Sequence, residues 1–347
     1  MAIKCSKKKC SSHAIIYQRY SGLHLCETHF IEDVEKKVKK EIRKQRAVER
    51  GDKIAVALSG GKDSSALLYM LKRFFHPRTD LDFIAIAVDE GIKGFRSITL
   101  RNAEKMAKEL NVELFTFSFE REFGFTLDEI VSRKFEQAPC TFCGVLRRQI
   151  IETKAKELGA TKVATAHNLD DEVQTILINY MRGDIERLGR LRGRREEFVP
   201  RIKPLRMVPE KEVALYALAA GIPIATIRGP YAELSFRFTV KRMLNELERR
   251  HPGTKYSLLR GYERLSEFLP KEQSKRKLLR CERCGAPSAS RICKACEIVE
   301  MMRRDKAQNS PLRALSSQRE LGVRCQVSGV SSRSNPLNLQ TSKPPNR

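Results

Sequence analysis

The sequence predicts an α/β protein whose central parallel sheet is flanked by two small cysteine-bearing modules. Between residues 51 and 230, short β-branched or apolar runs alternate with longer segments of helical period. This rhythm is typical of a parallel sheet that helices cover on both faces. Nine of the ten cysteines fall into three tight groups, and the 347 residues suffice for one sizeable domain with small modules beside it.

The elements of the predicted sheet follow one another in a regular order. Strands are expected at 53–58, 82–88, 112–117 and 161–166, with helices at 64–74, 97–110 and 144–158. Further helices are expected at 209–220 and within 238–268. Because ligands of such sheets bind beyond the carboxyl ends of the strands, the segments that follow the strands are the candidates for a site.

Composition changes along the chain divide it into six predicted parts. They are an N-terminal zinc-binding module (1–30), a bridging amphipathic helix (31–50), the α/β domain (51–230), a helical extension (231–275), a C-terminal zinc-binding module (276–304) and a polar, disordered tail (305–347).

The charge balance is strongly basic. Lysine and arginine number 67 against 42 acidic residues, which gives a formal net charge of +25 and predicts attraction to polyanions such as nucleic acid. No apolar stretch resembles a signal peptide, and none is long enough to cross a bilayer. The sequence therefore predicts a cytoplasmic protein without a membrane partner, in which the clustered cysteines hold metal or perform redox chemistry.

A glycine-containing loop follows the first predicted strand of the domain. Two glycines permit a tight turn, the next helix presents free backbone N–H groups, and a lysine adds a full positive charge. This combination predicts a phosphate site rather than a plain strand–helix turn. The residues of the loop are Ser59, Gly60, Gly61, Lys62, Asp63, Ser64 and Ser65.

A second polar segment follows the predicted strand at 161–166. It contains His167, Asp170 and Asp171, and acidic side chains at this edge are suited to magnesium and ribose contacts. Asp89 and the neighbouring Glu90 follow the strand at 82–88 and are expected on the same edge. An acidic helix start without a ligand is the plain alternative.

Two further cysteine groups have spacings typical of zinc sites. The C-terminal group combines two CxxC pairs, which supply four thiolates for a tetrahedral ion. The N-terminal group is more loosely spaced, and His13 and His24 compete with His29 as its fourth ligand. The predicted ligands are Cys281, Cys284, Cys293 and Cys296 at one site, and Cys5, Cys10, Cys26 and His29 at the other.

Cys140 and Cys143 form a CxxC pair inside the α/β domain, just before the helix predicted at 144–158. Thiols at a helix N-terminus ionise more readily than free cysteine. The pair is compatible with a redox couple, a persulfide carrier with its resolving thiol, two ligands of an iron–sulfur cluster, or structural thiols. Cys325 stands alone in the polar tail.

The order of these motifs resembles that of the TtuA-like tRNA 2-thiouridine synthetases, which belong to the PP-loop ATP pyrophosphatases. The likeness runs from Cys5 to about Cys296 and includes the loop at 59–65, the segment 139–144 and the segment 167–174. It implies an adenine nucleotide alpha-hydrolase-like PP-loop domain that binds ATP with magnesium. It also implies adenylation of the 2-oxo group of a tRNA uridine, followed by its replacement with sulfur.

The resemblance also assigns roles to individual residues. It places Ser59, Gly61, Lys62, Asp63 and Ser64 in the nucleotide loop, with Lys62 and Asp63 acting in catalysis. Asp171 matches a catalytic or magnesium-linked carboxylate, and Cys140 and Cys143 match the sulfur-handling pair. The implied partners are tRNA and a ubiquitin-like sulfur carrier that ends in a thiocarboxylate.

Two positions depart from the pattern of the family. The family's third cysteine, which precedes Pro-Tyr and completes a three-cysteine iron–sulfur site, is replaced here by Gly229. Arg147 stands where a lysine is common. The first departure predicts that this chain binds a 4Fe–4S cluster only weakly, while it leaves the fold and the nucleotide site untouched.

Two other functions are considered beside uridine thiolation. One is a PP-loop amide or lysidine-type ligase that uses nitrogen instead of sulfur, although it does not require the internal cysteine pair. The other is a zinc-dependent RNA-binding protein with a vestigial nucleotide site. The sequence leaves open which uridine is modified, in the wobble position or the T-loop, what donates the sulfur, and whether the protein is a monomer or a homodimer.

Overall fold

The computed structural model describes residues 3–191, 195–224, 227, 229–269 and 278–308. The chain divides into two units, Met1–Glu300 and Met301–Arg347, and the described part of the second unit is the end of one helix. Most of the predicted tail at 305–347 lies outside the described residues, as does the segment 270–277 at the end of the predicted helical extension.

The N-terminal module consists of a small hairpin and the start of a long helix. Strands β1 (Ile16–Gln18) and β2 (Leu23–Leu25) pair in antiparallel fashion, and helix α1 spans Glu27–Lys44. The helix starts four residues before the predicted position, because the backbone of Cys26 is extended and forms its N-cap. Its buried face packs into the main hydrophobic core, so this module and the α/β domain share one core.

The α/β domain contains a five-stranded, wholly parallel sheet, which confirms the predicted fold class. The strand order is β5-β4-β3-β6-β7. The elements are β3 (Lys53–Ala57), α2 (Lys62–Phe75), β4 (Asp82–Asp89), α3 (Arg96–Glu109), β5 (Glu113–Ser118), α4 (Phe119–Phe123), α5 (Leu127–Ser132), α6 (Pro139–Glu157), β6 (Lys162–Ala164), α7 (Leu169–Met181), α8 (Ile185–Arg190), β7 (Arg201–Ile202) and α9 (Glu210–Ala219). The two-residue edge strand β7 lies in a basic stretch and was not predicted.

The central strands are apolar on both faces because helices cover both sides of the sheet. Along β3, Ile54 and Val56 point into the core on one face, whereas Ala55 joins a second cluster on the other. Residues of β4 divide in the same way, with Phe83 on the first face and Ile84 on the second. Alternation along each strand thus builds two cores from one apolar run.

The order of the strands fixes where a ligand can bind. From β3 the chain proceeds outward to β4 and β5, and it then returns to place β6 on the other side of β3. The connections that leave β3 and β6 diverge at this switch point and open a crevice at the carboxyl edge of the sheet. The two predicted nucleotide segments follow these two strands and therefore meet at the crevice.

The helical extension contains two helices. Helix α10 (Phe236–Arg250) ends before Pro252, and helix α11 (Thr254–Phe268) begins after Gly253, whose φ is +94°. Both helices pack on α7 through an apolar cluster that includes Val173, Leu244 and Leu259.

The C-terminal module contains a second small hairpin, formed by β8 (Leu279–Arg280) and β9 (Pro287–Ser288), followed by α12 (Lys294–Gln308). None of the helices in the described parts of the chain has the length and apolar character that crossing a bilayer requires.

Candidate active site

The glycine loop turns sharply at the end of β3 because Gly60 adopts a φ of +77°. A Cβ atom at this position would lie 1.8 Å from the Thr99 carbonyl oxygen, so only glycine fits here. The carboxamide of Asn102 donates to the Gly60 carbonyl oxygen at 2.6 Å and fixes the turn against α3. Gly61 then forms the N-cap of α2, so the free N–H groups of this helix face the loop.

The hydroxyl groups of the loop are already arranged in one network. The Oγ atoms of Ser59 and Ser64 lie 2.9 Å apart, and Ser64 donates to the Gly61 carbonyl oxygen at 3.1 Å. Ser65 differs from both, because it is completely buried and its hydroxyl has no partner among the described residues. Ser65 therefore lies beneath the loop, while Ser59 and Ser64 shape its rim.

Lys62 lies between two carboxylates. Its Nζ atom is 2.8 Å from Asp63 Oδ2 and 3.1 Å from Glu210 Oε1. Burial alone would lower the pKa of Lys62, but the two carboxylates outweigh it and raise this pKa. Glu210 at the start of α9 was not predicted as a site residue, since only the tertiary fold brings it to the loop.

The segment after β6 meets the loop through Asn168. This residue caps α7 by accepting from the Asp171 N–H at 3.1 Å, and its amide donates to Asp63 Oδ1 at 3.2 Å. Burial, reinforced by the nearby Asp63 carboxylate, raises the pKa of Asp171 to about 6. The two predicted segments thus form one site, in which the carboxylates of Asp63 and Asp171 lie close together.

Three other predicted residues differ in how they face this site. Asp170 is buried, and its oxygens accept from Lys255 Nζ and from the Glu210 N–H at 2.9 Å, so it positions α9 and α11. Asp89 accepts from the Gly91 N–H at 2.8 Å within a turn. His167 is exposed to the crevice, and desolvation together with nearby cations lowers its pKa to about 3, which keeps the imidazole neutral.

A buried arginine joins the nucleotide loop to the helix that carries the cysteine pair. Arg96 donates to the Ser59 carbonyl oxygen at 2.7 Å and forms an ion pair with Glu90 at 2.9 Å. Arg147 on α6 reaches the other oxygen of Glu90 at 3.3 Å. Glu90 was predicted on this edge, whereas no sequence pattern indicates Arg96, whose partners come from two different strands.

Cys140 and Cys143 lie within the first turn of α6, not before the helix as predicted. The helix begins at Pro139, whose missing N–H and fixed φ suit the first helical position. Cys140 is exposed, and its sulfur lies 3.8 Å from the Tyr231 carbonyl oxygen. The expectation of easier ionisation is wrong for Cys143, because burial raises the pKa of this thiol to about 11.

Gly229 lies two residues from Tyr231, next to the cysteine pair. Among the described residues, the atoms nearest to a Cβ atom built on Gly229 belong to the ring of Phe95, at 3.6 Å, which is an ordinary van der Waals contact. The backbone position therefore has room for a side chain. Tyr231 itself is held by a hydrogen bond of 2.6 Å from its hydroxyl to Asp128 on α5.

The N-terminal ligand set converges as the spacing predicted. The ligand atoms of Cys5, Cys10, Cys26 and His29 all lie within 4.8 Å of one another. The sulfur atoms of Cys10 and Cys26 are 3.8 Å apart, close to the edge of about 3.8 Å that a tetrahedron with Zn–S bonds of about 2.3 Å would have. His13 and His24 are not part of this group.

The C-terminal ligand set converges in the same way. The sulfur atoms of Cys281, Cys284, Cys293 and Cys296 also lie within 4.8 Å of one another, with Cys284 and Cys293 3.6 Å apart. Burial of Cys281 opposes ionisation, but backbone hydrogen bonds such as that from the Cys293 N–H lower its pKa to about 6. A thiolate is the form that binds zinc.

A glycine loop at the switch point of a parallel sheet defines the class of protein, a PP-loop nucleotide-binding protein. The family model described as the PP-loop domain matches residues 30–226, more than half of the chain, and the chain belongs to this family. A second model, described as the N-terminal LIM domain of the 2-thiouridine synthetase TtuA, matches residues 4–31.

Within this class, the chain belongs to the family of the tRNA 2-thiolation proteins. It is 38% identical to the tRNA 2-thiolation protein NcsA of Haloferax volcanii, a match that covers 84% of this chain and 97% of the relative. It is 42% identical to a probable sulfurtransferase of Methanocaldococcus jannaschii, over 83% and 85% of the two chains.

A solved structure is similar over nearly the same span. It is the U34-tRNA thiolase NcsA from Methanococcus maripaludis with its [4Fe-4S] cluster, which has a TM-score of 0.75 and 37% identity. The match covers 86% of this chain and 96% of that one. The predicted fold class and family are thereby confirmed.

Proposed function

We propose that this protein adenylates the 2-oxo group of a tRNA uridine and replaces that oxygen with sulfur, releasing AMP and pyrophosphate. The observation that carries the proposal is the position of the cysteine pair relative to the nucleotide loop. Both lie at the carboxyl edge of the sheet, and Arg147, Glu90 and Arg96 connect them in a line of direct contacts that ends at Ser59. The relatives named as tRNA 2-thiolation proteins support it.

ATP binds with its phosphates on the loop at 59–65. The free N–H groups of α2 and the ammonium of Lys62 face the anion, and Ser59 and Ser64 supply hydroxyls. Asp63 and Asp171 are the carboxylates that would hold magnesium, which offsets phosphate charge when bound. Asn168 keeps Asp63 beside Asp171. Asp89 and His167 border the nucleotide, and the buried Asp170 positions its surroundings through α9 and α11.

Adenylation solves a leaving-group problem. The 2-oxo group of uridine is a poor leaving group, whereas AMP departs readily once the oxygen carries the α-phosphate. Attack by the 2-oxygen on the α-phosphorus breaks the bond from this phosphorus to the α–β bridging oxygen and expels pyrophosphate. Lys62 stabilises the negative charge that develops in this step. A sulfur nucleophile then adds at C2 and AMP leaves with the former oxygen.

The described residues do not fit a three-thiolate iron–sulfur cluster at this site. Cys140 and Cys143 are the only cysteines of the described ranges outside the two zinc-like ligand sets, and Gly229 offers no ligand atom. Cubane clusters are held by thiolates, and oxygen is a poorer ligand for them. We therefore derive the sulfur transfer from the two cysteines alone.

The pair acts as a persulfide carrier and a resolving thiol. The terminal sulfur of a Cys140 persulfide attacks C2 of the adenylated uridine, and AMP leaves. Cys143 then gives up its proton to water and attacks Cys140 Sγ in the disulfide to C2, which releases 2-thiouridine and forms a Cys140–Cys143 disulfide. Cys140 is the carrier because it is the exposed member of the pair.

A thiocarboxylate donor returns the pair to the persulfide without an external reductant. The thiocarboxylate sulfur attacks Cys140 in the disulfide, which frees Cys143 as a thiolate and forms an acyl disulfide. Water hydrolyses the acyl group to a carboxylate and leaves the persulfide on Cys140. A ubiquitin-like carrier with a C-terminal thiocarboxylate is a donor of this chemistry.

The tRNA binds to the basic surface of the protein. The reaction takes place in the cytoplasm, a localisation that several relatives carry in their name, "Cytoplasmic tRNA 2-thiolation protein 1". Nucleic-acid phosphates position the substrate without reading its sequence. The N-terminal module, with three cysteines and one histidine, and the C-terminal module, with four cysteines, each hold one zinc ion. Both modules fold around the metal.

The zinc assignment predicts two zinc ions per chain by elemental analysis of protein purified without chelator. Changing Cys281 to Ser is expected to lower the ratio to one and to weaken tRNA binding, because zinc binding and local folding are coupled in such modules. Cys325→Ser is the matched control, since Cys325 stands alone in the sequence, apart from both cysteine groups, and should retain both ions. A parent ratio of one would contradict the N-terminal site first, and two ions in Cys281→Ser would contradict the C-terminal ligands.

Mass analysis of the product nucleoside tests the function itself. The protein is incubated with tRNA, ATP and a thiocarboxylate donor, and digestion is expected to yield a uridine in which one sulfur has replaced one oxygen. A nitrogen-containing product would identify an amide or lysidine-type ligase instead. If tRNA binds but neither AMP nor pyrophosphate is formed, the protein is an RNA-binding protein with a vestigial nucleotide site.

A further inference from the structure

A group of six cations borders the crevice beside Cys143 and His167. Repulsion from Lys203, Arg147 and Arg237 acts on His167, and repulsion from Arg201, Arg147 and Arg187 acts on Arg148. These groups are therefore close to one another, although they come from four different segments of the chain. We call them the cationic rim, which comprises Arg147, Arg148, Arg187, Arg201, Lys203 and Arg237.

Four members of the cationic rim already have a carboxylate partner. The pairs are Arg147–Glu90 at 3.3 Å, Arg187–Asp184 at 3.0 Å, Arg201–Glu152 at 3.1 Å and Lys203–Glu172 at 2.6 Å. Their charges are largely neutralised within the protein. The remaining two members, Arg148 and Arg237, are the ones available to an external anion.

Arg148 forms neither an ion pair nor a hydrogen bond with any residue that the structure describes. The guanidinium of Arg148 lies over Gly144 in α6, as the distance of 3.3 Å from its Nη1 atom to a Cβ atom built on Gly144 shows. Desolvation and the guanidiniums of Arg201 and Arg147 lower the pKa of Arg148 to about 10, so it remains charged at neutral pH. An unpaired cation beside other cations is stabilised by a bound anion.

Arg237 is oriented without being neutralised. It donates to Thr175 Oγ1 at 3.0 Å and to Gln174 Oε1 at 3.2 Å, both of which are uncharged, and it forms no ion pair within the described parts of the chain. These bonds hold its guanidinium against the first turns of α7, next to Asp171. Arg148 and Arg237 thus mark the cysteine side and the nucleotide side of the crevice.

We propose that Arg148 and Arg237 bind the backbone phosphates that flank the target uridine and so hold its base between the cysteine pair and ATP. This inference rests on the proposed function. A nucleotide that enters the crevice brings its phosphates to the crevice border, and planar guanidinium forks match phosphate oxygens. The phosphates of ATP have their own site at Lys62, so the cationic rim receives the phosphates of the RNA.

The test measures tRNA affinity as a function of salt for Arg148→Gln, Arg237→Gln and the double variant. Each single change is expected to reduce the slope of log K against log salt by about 1, since one phosphate contact is lost. ATP affinity should stay unchanged. Arg50→Gln is the matched control, because Arg50 is exposed before β3, at the opposite edge of the sheet, and its slope should equal that of the parent.

A second arm identifies the phosphates. A tRNA with an uncharged methylphosphonate on either side of the modified uridine should bind the parent more weakly, and Arg148→Gln should then add no further loss at one of the two positions. Unchanged tRNA slopes with weakened ATP or pyrophosphate binding would overturn the inference and assign the rim to the nucleotide. If the variants show reduced slopes but the parent makes no thiouridine, the phosphate site is upheld and the proposed function is refuted.

Discussion

Replacing Lys62 with alanine is expected to slow tRNA-dependent release of AMP and pyrophosphate by a factor on the order of 10²–10³, the usual effect of removing one group that stabilises transition-state charge. The ammonium of Lys62 is the only lysine charge that the glycine loop carries, and it lies between Asp63 and Glu210 at the start of α2. The affinity for tRNA should hardly change, because one charge is a small part of a net +25.

The loss cannot be ascribed to unfolding. Both ion pairs of Lys62 are partly exposed, and such pairs contribute about 0–1 kcal/mol to the free energy of unfolding. Lys53→Ala is the matched control. Lys53 begins β3, the strand that leads into the glycine loop, but it lies at the opposite edge of the sheet and pairs there with Asp82 at 3.5 Å. Release of AMP is quantified under single-turnover conditions. A Lys62→Ala protein that turns over ATP like the parent would remove the loop from the mechanism.

Gly229→Cys is expected to convert a chain that scarcely retains iron into one that holds a four-iron cluster. In the parent, Cys140 and Cys143 are the two thiols at this site, and the described residues offer no third. The Gly229 position has room for a Cβ among the described residues, whose nearest atoms, in the Phe95 ring, would lie 3.6 Å away. Two residues further on, the Tyr231 carbonyl oxygen accepts from the Cys140 thiol at 3.8 Å, so the segment that contains Gly229 passes beside the pair.

Anaerobic reconstitution with iron and sulfide, followed by counting of iron and acid-labile sulfide and by absorbance spectra, measures the effect. Gly229→Ser is the matched control, because the serine oxygen takes the place of the cysteine sulfur and oxygen is a poorer ligand for such clusters. It should remain nearly iron-free, and Cys325→Ser should behave like the parent. Labile sulfide separates a cluster from iron bound at the two zinc-like sites.

Two results would refute the two-cysteine route. One is a stable four-iron cluster in the unaltered protein, as in the thiolase of Methanococcus maripaludis. The other is a strict iron requirement for thiouridine formation when a thiocarboxylate donor is supplied. Under the proposed route, iron-free parent protein forms thiouridine, whereas Cys143→Ser forms none, because without the Cys140–Cys143 disulfide a thiocarboxylate cannot convert Cys140 into a persulfide.

Signals carried by a few adjacent residues were sufficient to predict the centre of the site. The strand, two glycines and lysine at 53–62 define a phosphate loop because its conformation is local, as the φ of Gly60 shows. The two candidate metal-ligand sets were equally accessible, since four ligands must come within reach of one ion. Even the choice of His29 follows from its spacing to Cys26, three residues earlier at the start of α1.

Two elements were predicted less accurately, because their own residues carry little secondary-structure signal. Helix α6 starts at Pro139 and not at the predicted position 144. The earlier start was missed because the CxxC segment has no apolar periodicity that indicates a helix. The edge strand β7 is two residues long and lies in a basic stretch, so its pairing with β6 decides its conformation.

The sequence by itself determined the class of fold, the nucleotide loop, the cysteine pair and both metal ligand sets, because each depends on neighbours along the chain. The tertiary structure alone decided which distant groups complete them. It brings Glu210 to Lys62, joins Arg96 to Glu90, engages Asp170 with Lys255 and leaves Arg148 unpaired within the described residues. These partners follow from the order of the strands and the packing of helices on the sheet, and long-range contacts of this kind leave no periodic signal in the sequence.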